Sequence, residues 1–206
     1  MIGGLVLAAG AGRRFGGPKA LVEVAGERWV DRAARVLREG GAEPIVVVVG
    51  AAPVEVPGAD SVVANPAWAE GMGSSLRAGL AAPALAACSA VVVLLVDQPG
   101  VEPEAVQRMI AAHLAGADLA VATYEGERGH PVLLGRSHWV AVAEVAVGDV
   151  GARAYLAGHA GEVRAVPCDG AGDPADIDTR EQLASRYPGA AQQASARPWL
   201  SGSPAE

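Results

Sequence analysis

Apolar positions along the chain fall into two patterns. Continuous aliphatic runs stand at 2–8 (IGGLVLA), 45–50 (IVVVVG), 62–64 (VVA) and 91–96 (VVVLLV). Short, β-branched and unbroken, they predict strands buried on both faces. Between them, apolar residues recur at helical spacing. Over 27–39 (ERWVDRAARVLRE), Trp29, Val30, Ala33, Ala34 and Leu37 share one face, and Gly40 and Gly41 end the helix. Residues 103–114 predict another amphipathic helix, with Pro103 suited to its first turn. Ser74 is placed to cap a helix over 75–82. Strands are expected at 118–124 (DLAVATY), 130–135 (HPVLLG) and 162–167 (EVRAVP), and helices at 137–145, 150–158 and 179–186. Strands alternating with helices predict an α/β fold: one mostly parallel sheet with flanking helices. Such sheets bind ligands at the carboxyl ends of their strands.

Composition narrows this picture. A chain of 206 residues fits one domain, here 1–187. The segment from Pro188 (PGAAQQASARPWLSGSPAE) is small, polar and proline-containing, and is expected to be a disordered tail. The 51% hydrophobic and 19% charged content suits a globular core. A net charge of −7 argues against a nucleic-acid partner, because phosphate backbones select basic surfaces. The longest apolar run, at 84–96, is shorter than the ~18 residues of a spanning helix, so no membrane partner is expected. Cys88 and Cys168 lack metal-ligand spacing and read as reduced structural thiols. No signal peptide is recognisable, and a cytoplasmic location is expected.

One loop carries unusual chemistry. In LVLAAGAGRRFGGPK (5–19), a strand runs into Gly10, Gly12, Gly16 and Gly17, with Arg13, Arg14 and Lys19 among them. A glycine loop after a strand presents backbone N–H groups to an anion. Three cations packed there repel one another unless an anion is shared, and a triphosphate would satisfy them. Lys19 is the only lysine beside fifteen arginines, which suggests a site that needs a compact charge. The loop is not a P-loop, since no Ser or Thr follows Lys19. Nor is it a dinucleotide fingerprint: the next long strand ends in Gly50-Ala51, without an acid for a ribose.

These residues resemble the MobA-like nucleotidyltransferases. The pattern L-A-[AG]-G-x-[GS]-x-R-[MF]-G-x-x-K is matched from Leu7 to Lys19. Further segments resemble the branch that holds molybdenum cofactor cytidylyltransferase. They are NPAWAEGMGSSLRAGL (65–80), LLVDQPGV (94–101), GHPVLLGR (129–136), GDVGARAYL (148–156) and ADIDTREQL (175–183), the last with Arg180 in place of a usual proline. The resemblance spans roughly residues 3–186 and implies a Rossmann-like nucleotidyltransferase fold.

The implied reaction is attack by a substrate phosphate on the α-phosphorus of a nucleoside triphosphate, with loss of pyrophosphate. The resemblance implies nucleotide contacts from Leu7, Ala8, Ala9, Gly10 and Gly12, from Arg13, Arg14 and Lys19, and from Asn65 and Ser75. Arg13 would clamp terminal phosphate oxygens, and Lys19 would sit on the transition state. Mg2+ is the expected cofactor, with Asp97 and Asp178 as ligands. Asp97 follows six apolar strand residues and so stands at a strand end facing the crevice. Asp178 has a second reading as N-cap of a capping box closed by Glu181. Asn65 could instead shape an Asn-Pro turn, Ser75 cap a helix, and Arg14 be a solvated neighbour. Phe15 reads as packing. His130, Asp149 and Arg153 are candidates for the acceptor side, with a local structural role open for His130.

Ala9 and Gln98 lean toward CTP over GTP by pattern alone. The expected partners are CTP and a molybdopterin-type acceptor, with a molybdoenzyme client possible. GTP, or another phosphorylated acceptor, keeps the same chemistry. Nicotine-blue-type oxidoreductases also resemble this branch, so reduction by a nicotinamide cofactor is an alternative. A non-catalytic cofactor carrier is the third.

Overall fold

A computed structural model describes residues 1–188. The expected tail lies outside the described residues, apart from Pro188. Seven strands form one sheet: β1 (Ile2–Ala8), β4 (Ile45–Val49), β5 (Ser61–Ala64), β6 (Ala90–Leu95), β7 (Leu119–Tyr124), β8 (Glu127–Gly135) and β9 (Val163–Pro167). Their order is β5-β4-β1-β6-β8-β7-β9, and every pairing is parallel except the two made by β8. The mostly parallel α/β expectation therefore holds, with β8 inserted antiparallel between β6 and β7. Because β7 and β8 form a hairpin, β8 begins at Glu127, three residues before the expected start.

Helices cover both faces. On one side lie α1 (Trp29–Glu39), α3 (Pro103–Leu114) and α6 (Arg180–Arg186); on the other lie α2 (Met72–Leu80), α4 (Trp139–Val145) and α5 (Arg153–Gly158). The period-2 alternation of the strands divides their side chains between these layers. Val6, Val47, Val92 and Leu94 join Trp29, Leu37 and Met109, whereas Leu5, Val46, Val48 and Val93 join Leu76, Leu80 and Trp139. Each such aliphatic side chain contributes about 1.5–3 kcal/mol on burial. Among the described residues, no helix is long and apolar enough to cross a membrane.

Further boundaries differ from expectation. Glu23–Val24 (β2) pairs antiparallel with Glu27–Arg28 (β3), so α1 starts at Trp29 and not at 27. The helix expected over 75–82 starts at Met72 behind Gly71. Ser74 is therefore not its cap: its hydroxyl donates to the Gly71 and Ala67 carbonyls from inside the first turn. The helix expected over 150–158 divides into a 3-10 turn at Gly148–Val150 and α5 from Arg153. The capping box at α6 is one residue later than expected. Thr179 is the N-cap and Gln182 its partner, which leaves Asp178 outside the box.

Register places the functional residues. Leu7 of β1 stands beside Leu95 of β6 in parallel, so the glycine loop and Asp97 leave the same sheet edge side by side. Beyond the last antiparallel pair of β6 and β8, Val93 with Val132, lie Asp97, two residues past the end of β6, and His130 on β8. The β7–β8 register shifts between Val121 and Ala122, which leaves His130 and Pro131 out of the ladder. Such a bulge re-aims its side chains, here toward the ends of the parallel strands.

Candidate active site

The glycine loop is folded on itself. Gly12 has φ +58°, and its carbonyl accepts from the Gly16 and Gly17 amides at 2.9 and 3.1 Å. A Cβ at Gly12 would run into the Gly17 carbonyl, so only glycine fits there. Phe15 anchors the loop, as expected: it is buried and its ring lies 5.7 Å from that of Trp29. The Arg180 guanidinium of α6 lies 5.5 Å from the centre of the same ring.

This anchoring brings Lys19 against two acids. Its ammonium donates to Asp178 Oδ1 at 2.7 Å and to Asp97 Oδ2 at 3.0 Å. Arg14 pairs with Asp178 Oδ2 at 3.0 Å. The Lys19 hydrogen bond holds the Asp178 carboxyl below the usual carboxylate range, with the Lys19 and Arg14 charges acting the same way against burial. Two of the three loop cations are thus neutralised within the protein. Their mutual repulsion no longer requires a bound triphosphate, which corrects that part of the sequence argument. Arg13 is exposed and, among the described residues, has no carboxylate partner.

Among the described residues, Asp97 keeps one buried oxygen, Oδ1, without a hydrogen-bond partner. A buried carboxylate oxygen left bare in this way suits a cation. Among the described residues there is no cluster of three or more His, Cys, Asp or Glu side chains able to hold a metal. A pair of carboxylates fits Mg2+ well, since Mg2+ commonly takes one or two carboxylates plus waters and substrate phosphates.

Two chambers meet at this pair. The first, of 460 Å3, is lined by Gly10, Gly12, Arg13, Lys19, Ser75 and Asp149, with Trp68 and Met72. The second, of 620 Å3, is lined by His130, Arg153, Tyr124 and Arg128 over an apolar floor that includes Val121, Val132 and Leu156. Leu7, Arg14, Met72, Leu95, Asp97 and Asp178 border both. The three residues grouped on the acceptor side therefore divide: Asp149 faces the first chamber, His130 and Arg153 the second. Burial pushes the His130 imidazole down to about 4, against the pull of Asp97, so it is neutral near pH 7.

Other candidates lie behind the surface. Asn65 is 4% exposed, and its amide donates to Ser74 Oγ at 2.9 Å and Ser75 Oγ at 3.1 Å. Its carbonyl oxygen accepts from the Ala67 amide, the turn anticipated for Asn-Pro. Asn65 thus orients Ser75, which does line the first chamber. Ala8 and Ala9 turn their side chains into opposite core layers, leaving only backbone for a ligand. Trp68, quoted in a motif but given no role, packs where a Cβ on Gly50 would come within 2.5 Å of it. Only that glycine hinted at the contact. Gln98 donates to the Pro174 carbonyl at 3.0 Å and to Asp176 Oδ1 at 2.8 Å, a connection no local pattern announces.

The fold is shared with known proteins. A model of the MobA-like NTP transferase domain matches residues 4–164. Nicotine blue oxidoreductase of Paenarthrobacter nicotinovorans is 36% identical over 193 residues, covering 87% of this chain and 93% of that protein. The protein named "Probable molybdenum cofactor guanylyltransferase" of Opitutus terrae is 39% identical over 101 residues, 49% of this chain and 50% of the other. Among solved structures, Rv0371c of Mycobacterium tuberculosis H37Rv superposes with a TM-score of 0.76 at 28% identity, covering 91% of this chain and 97% of that one. A manganese complex of Rv0371C superposes at 0.72 with 27% identity, covering 91% and 98%. With that match over residues 4–164, the chain belongs to the MobA-like NTP transferase domain family and is a nucleotide-transferring enzyme.

Proposed function

We propose that the protein transfers CMP from CTP to a molybdopterin-type cofactor in a Mg2+-dependent reaction, with release of pyrophosphate. The observation that carries this reading is the meeting of two chambers at Asp97, Asp178 and Arg14. A two-substrate transfer needs the nucleotide and the acceptor to approach one point from different sides. The choice of CTP rests on the pattern at Ala9 and Gln98, and the acceptor rests on resemblance and on the Opitutus relative.

In this mechanism the amides of the loop around Gly10–Gly12 hold the phosphates, and Arg13, free of internal partners among the described residues, clamps the terminal ones. An acceptor phosphate oxygen attacks the α-phosphorus. The bond from that phosphorus to the bridging oxygen of the β-phosphate breaks, and pyrophosphate leaves. Lys19 places a compact positive charge where negative charge gathers in the transition state. Asp97 and Asp178 would hold Mg2+, which when bound neutralises phosphate oxygens and supports their alignment. His130 and Arg153 face the acceptor in the second chamber. There a neutral imidazole offers hydrogen bonds, and the guanidinium offers charge.

A second reading is favoured by the 36% identity with nicotine blue oxidoreductase across most of both chains. The apolar floor of the second chamber would then take a pyridine dye, with a nicotinamide cofactor as reductant. Mass spectrometry of a molybdopterin-type acceptor after incubation with CTP and Mg2+ separates the two. A gain of one CMP supports transfer. An unchanged acceptor, together with loss of nicotinamide absorbance when a dye is supplied, supports the redox reading instead.

A further inference from the structure

Besides Asp97 Oδ1, two buried side-chain atoms have no hydrogen-bond partner among the described residues: Trp29 Nε1 and Gln98 Oε1. The first is a donor only and the second an acceptor only. Neither is free to turn away. Gln98 Nε2 already donates to two acceptors, Pro174 O and Asp176 Oδ1, so inverting the amide would set oxygen against oxygen. Trp29 is 1% exposed and held by Phe15. Both residues line one small cavity of 10 Å3 between α1 and segment 94–101. That is about the space one water molecule requires, and two of the residues lining it carry an unpartnered donor and an unpartnered acceptor.

Gln98 also lies at a junction. Segments 97–102 and 171–177 run together through Ile177 N to Asp97 O at 2.9 Å, Asp173 N to Gly100 O at 2.9 Å and Glu102 N to Ala171 O at 3.3 Å. The first segment carries Asp97, and Asp178 directly follows the second. The Gln98 amide is a side-chain clasp between them, closed two residues before Asp178. From the opposite side, Arg32 of α1 grips the same turn through Pro99 O at 2.5 Å.

We propose that Gln98 is a positioning residue for Asp178, locked by one buried water that accepts from Trp29 Nε1 and donates to Gln98 Oε1. The water completes a chain from α1 through Gln98 to the 174–178 segment. The consequence for metal rests on the reading of Asp97 and Asp178 as its ligands. The clasp and the water do not.

Three measurements on the full chain test this. A high-resolution crystal structure should show an ordered water touching Trp29 and Gln98; a dry cavity overturns the lock. Gln98→Met keeps length and burial but removes the clasp. It should speed hydrogen exchange at the Asp173 and Ile177 amides about tenfold or more while the β1 amides stay unchanged. Trp29→Phe, which removes only the donor, should have a smaller effect in the same direction. Equal exchange at 171–178 in Gln98→Met and wild type overturns the positioning role. Mn2+ titration by electron paramagnetic resonance should show affinity weakened about 10–100-fold in Gln98→Met. Unchanged Mn2+ affinity in that variant also counts against it. A wild-type protein that binds no Mn2+ would sink the metal reading instead, and the exchange and crystallographic results would still decide the clasp.

Discussion

Lys19 sits between two carboxylates, so replacing it should separate two roles. Lys19→Ala is expected to lower turnover about 10²–10³-fold, the scale for losing one preorganised charge at a transition state. Mn2+ binding should persist or tighten, because a competing cation has been removed from Asp97 and Asp178. Steady-state kinetics alongside a Mn2+ titration reads both. A variant with wild-type turnover would remove Lys19 from the chemistry. Asp97→Asn should instead weaken Mn2+ binding along with turnover.

His130 titrates in a different window from the acids. Its pKa falls from 6.5 to about 4 on folding, so between those values the unfolded chain takes up the proton first. The fold therefore loses stability as pH drops from about 6.5 toward 4. Glu27, Asp60 and Asp178 are all lowered, by Arg35, by the Ile45 amide and by Lys19 respectively. Their stabilisation is present above the unfolded carboxylate pKa and is lost as pH falls through the lowered values. Thermal midpoints at pH 7.5 and 5 should differ, and His130→Asn should remove part of that difference. An identical pH slope in His130→Asn would show that the imidazole is not desolvated.

At the scale of elements, close approaches decide how α2 is seated. A Cβ on Gly79 would lie 2.5 Å from Leu5 Cδ1, and one on Gly73 would collide with the Ala146 carbonyl. Alanine in mid-helix normally gains about 1 kcal/mol over glycine. At Gly73 the obstacle is backbone, which does not swing aside as a side chain does, so the clash should win. Gly73→Ala is expected to cost about 1–3 kcal/mol, the range for overpacking. It should also displace the 146–149 turn and raise KM for the nucleotide, because Asp149 borders that chamber. A stabilised Gly73→Ala protein would contradict the tight seating. Position 73 also shows why the start of α2 escaped the sequence. Gly71-Met72-Gly73 carries no start signal, and the first turn is held by Ser74 donating backward and by tertiary contact. The insertion of β8 was hidden for a related reason. Strand order depends on pairing between distant segments, whereas the hydrophobic pattern reports only burial.

Across the whole molecule, what could be read early was what a single segment determines. The unbroken valine runs announced buried strands, and an acid directly after one of them announced the crevice. The glycine count announced a loop whose backbone borders the first chamber. What escaped joins residues far apart: Lys19 meets Asp178 across 159 positions, and Gln98 meets Asp176 across 78. The capping-box register at Asp178 was one residue off because Glu181 and Gln182 are both competent partners. Asn65 was readable as a turn residue, but its hold on Ser74 and Ser75 was not, since α2 must dock before they meet. These long-range contacts build one strand-end crevice from the chain's two extremes and its middle.

The central claim is nucleotidyl transfer in that crevice, and pyrophosphate release tests it most directly. The measurement uses CTP, GTP, ATP and UTP in turn, each with Mg2+ and a molybdopterin-type acceptor, on wild type and on Asp97→Asn. The account predicts release with CTP from the wild type, dependent on acceptor, and near-complete loss in Asp97→Asn. Release with GTP alone would keep the mechanism and overturn the choice of base. No release with any nucleotide, from folded protein and competent acceptor, would contradict the account.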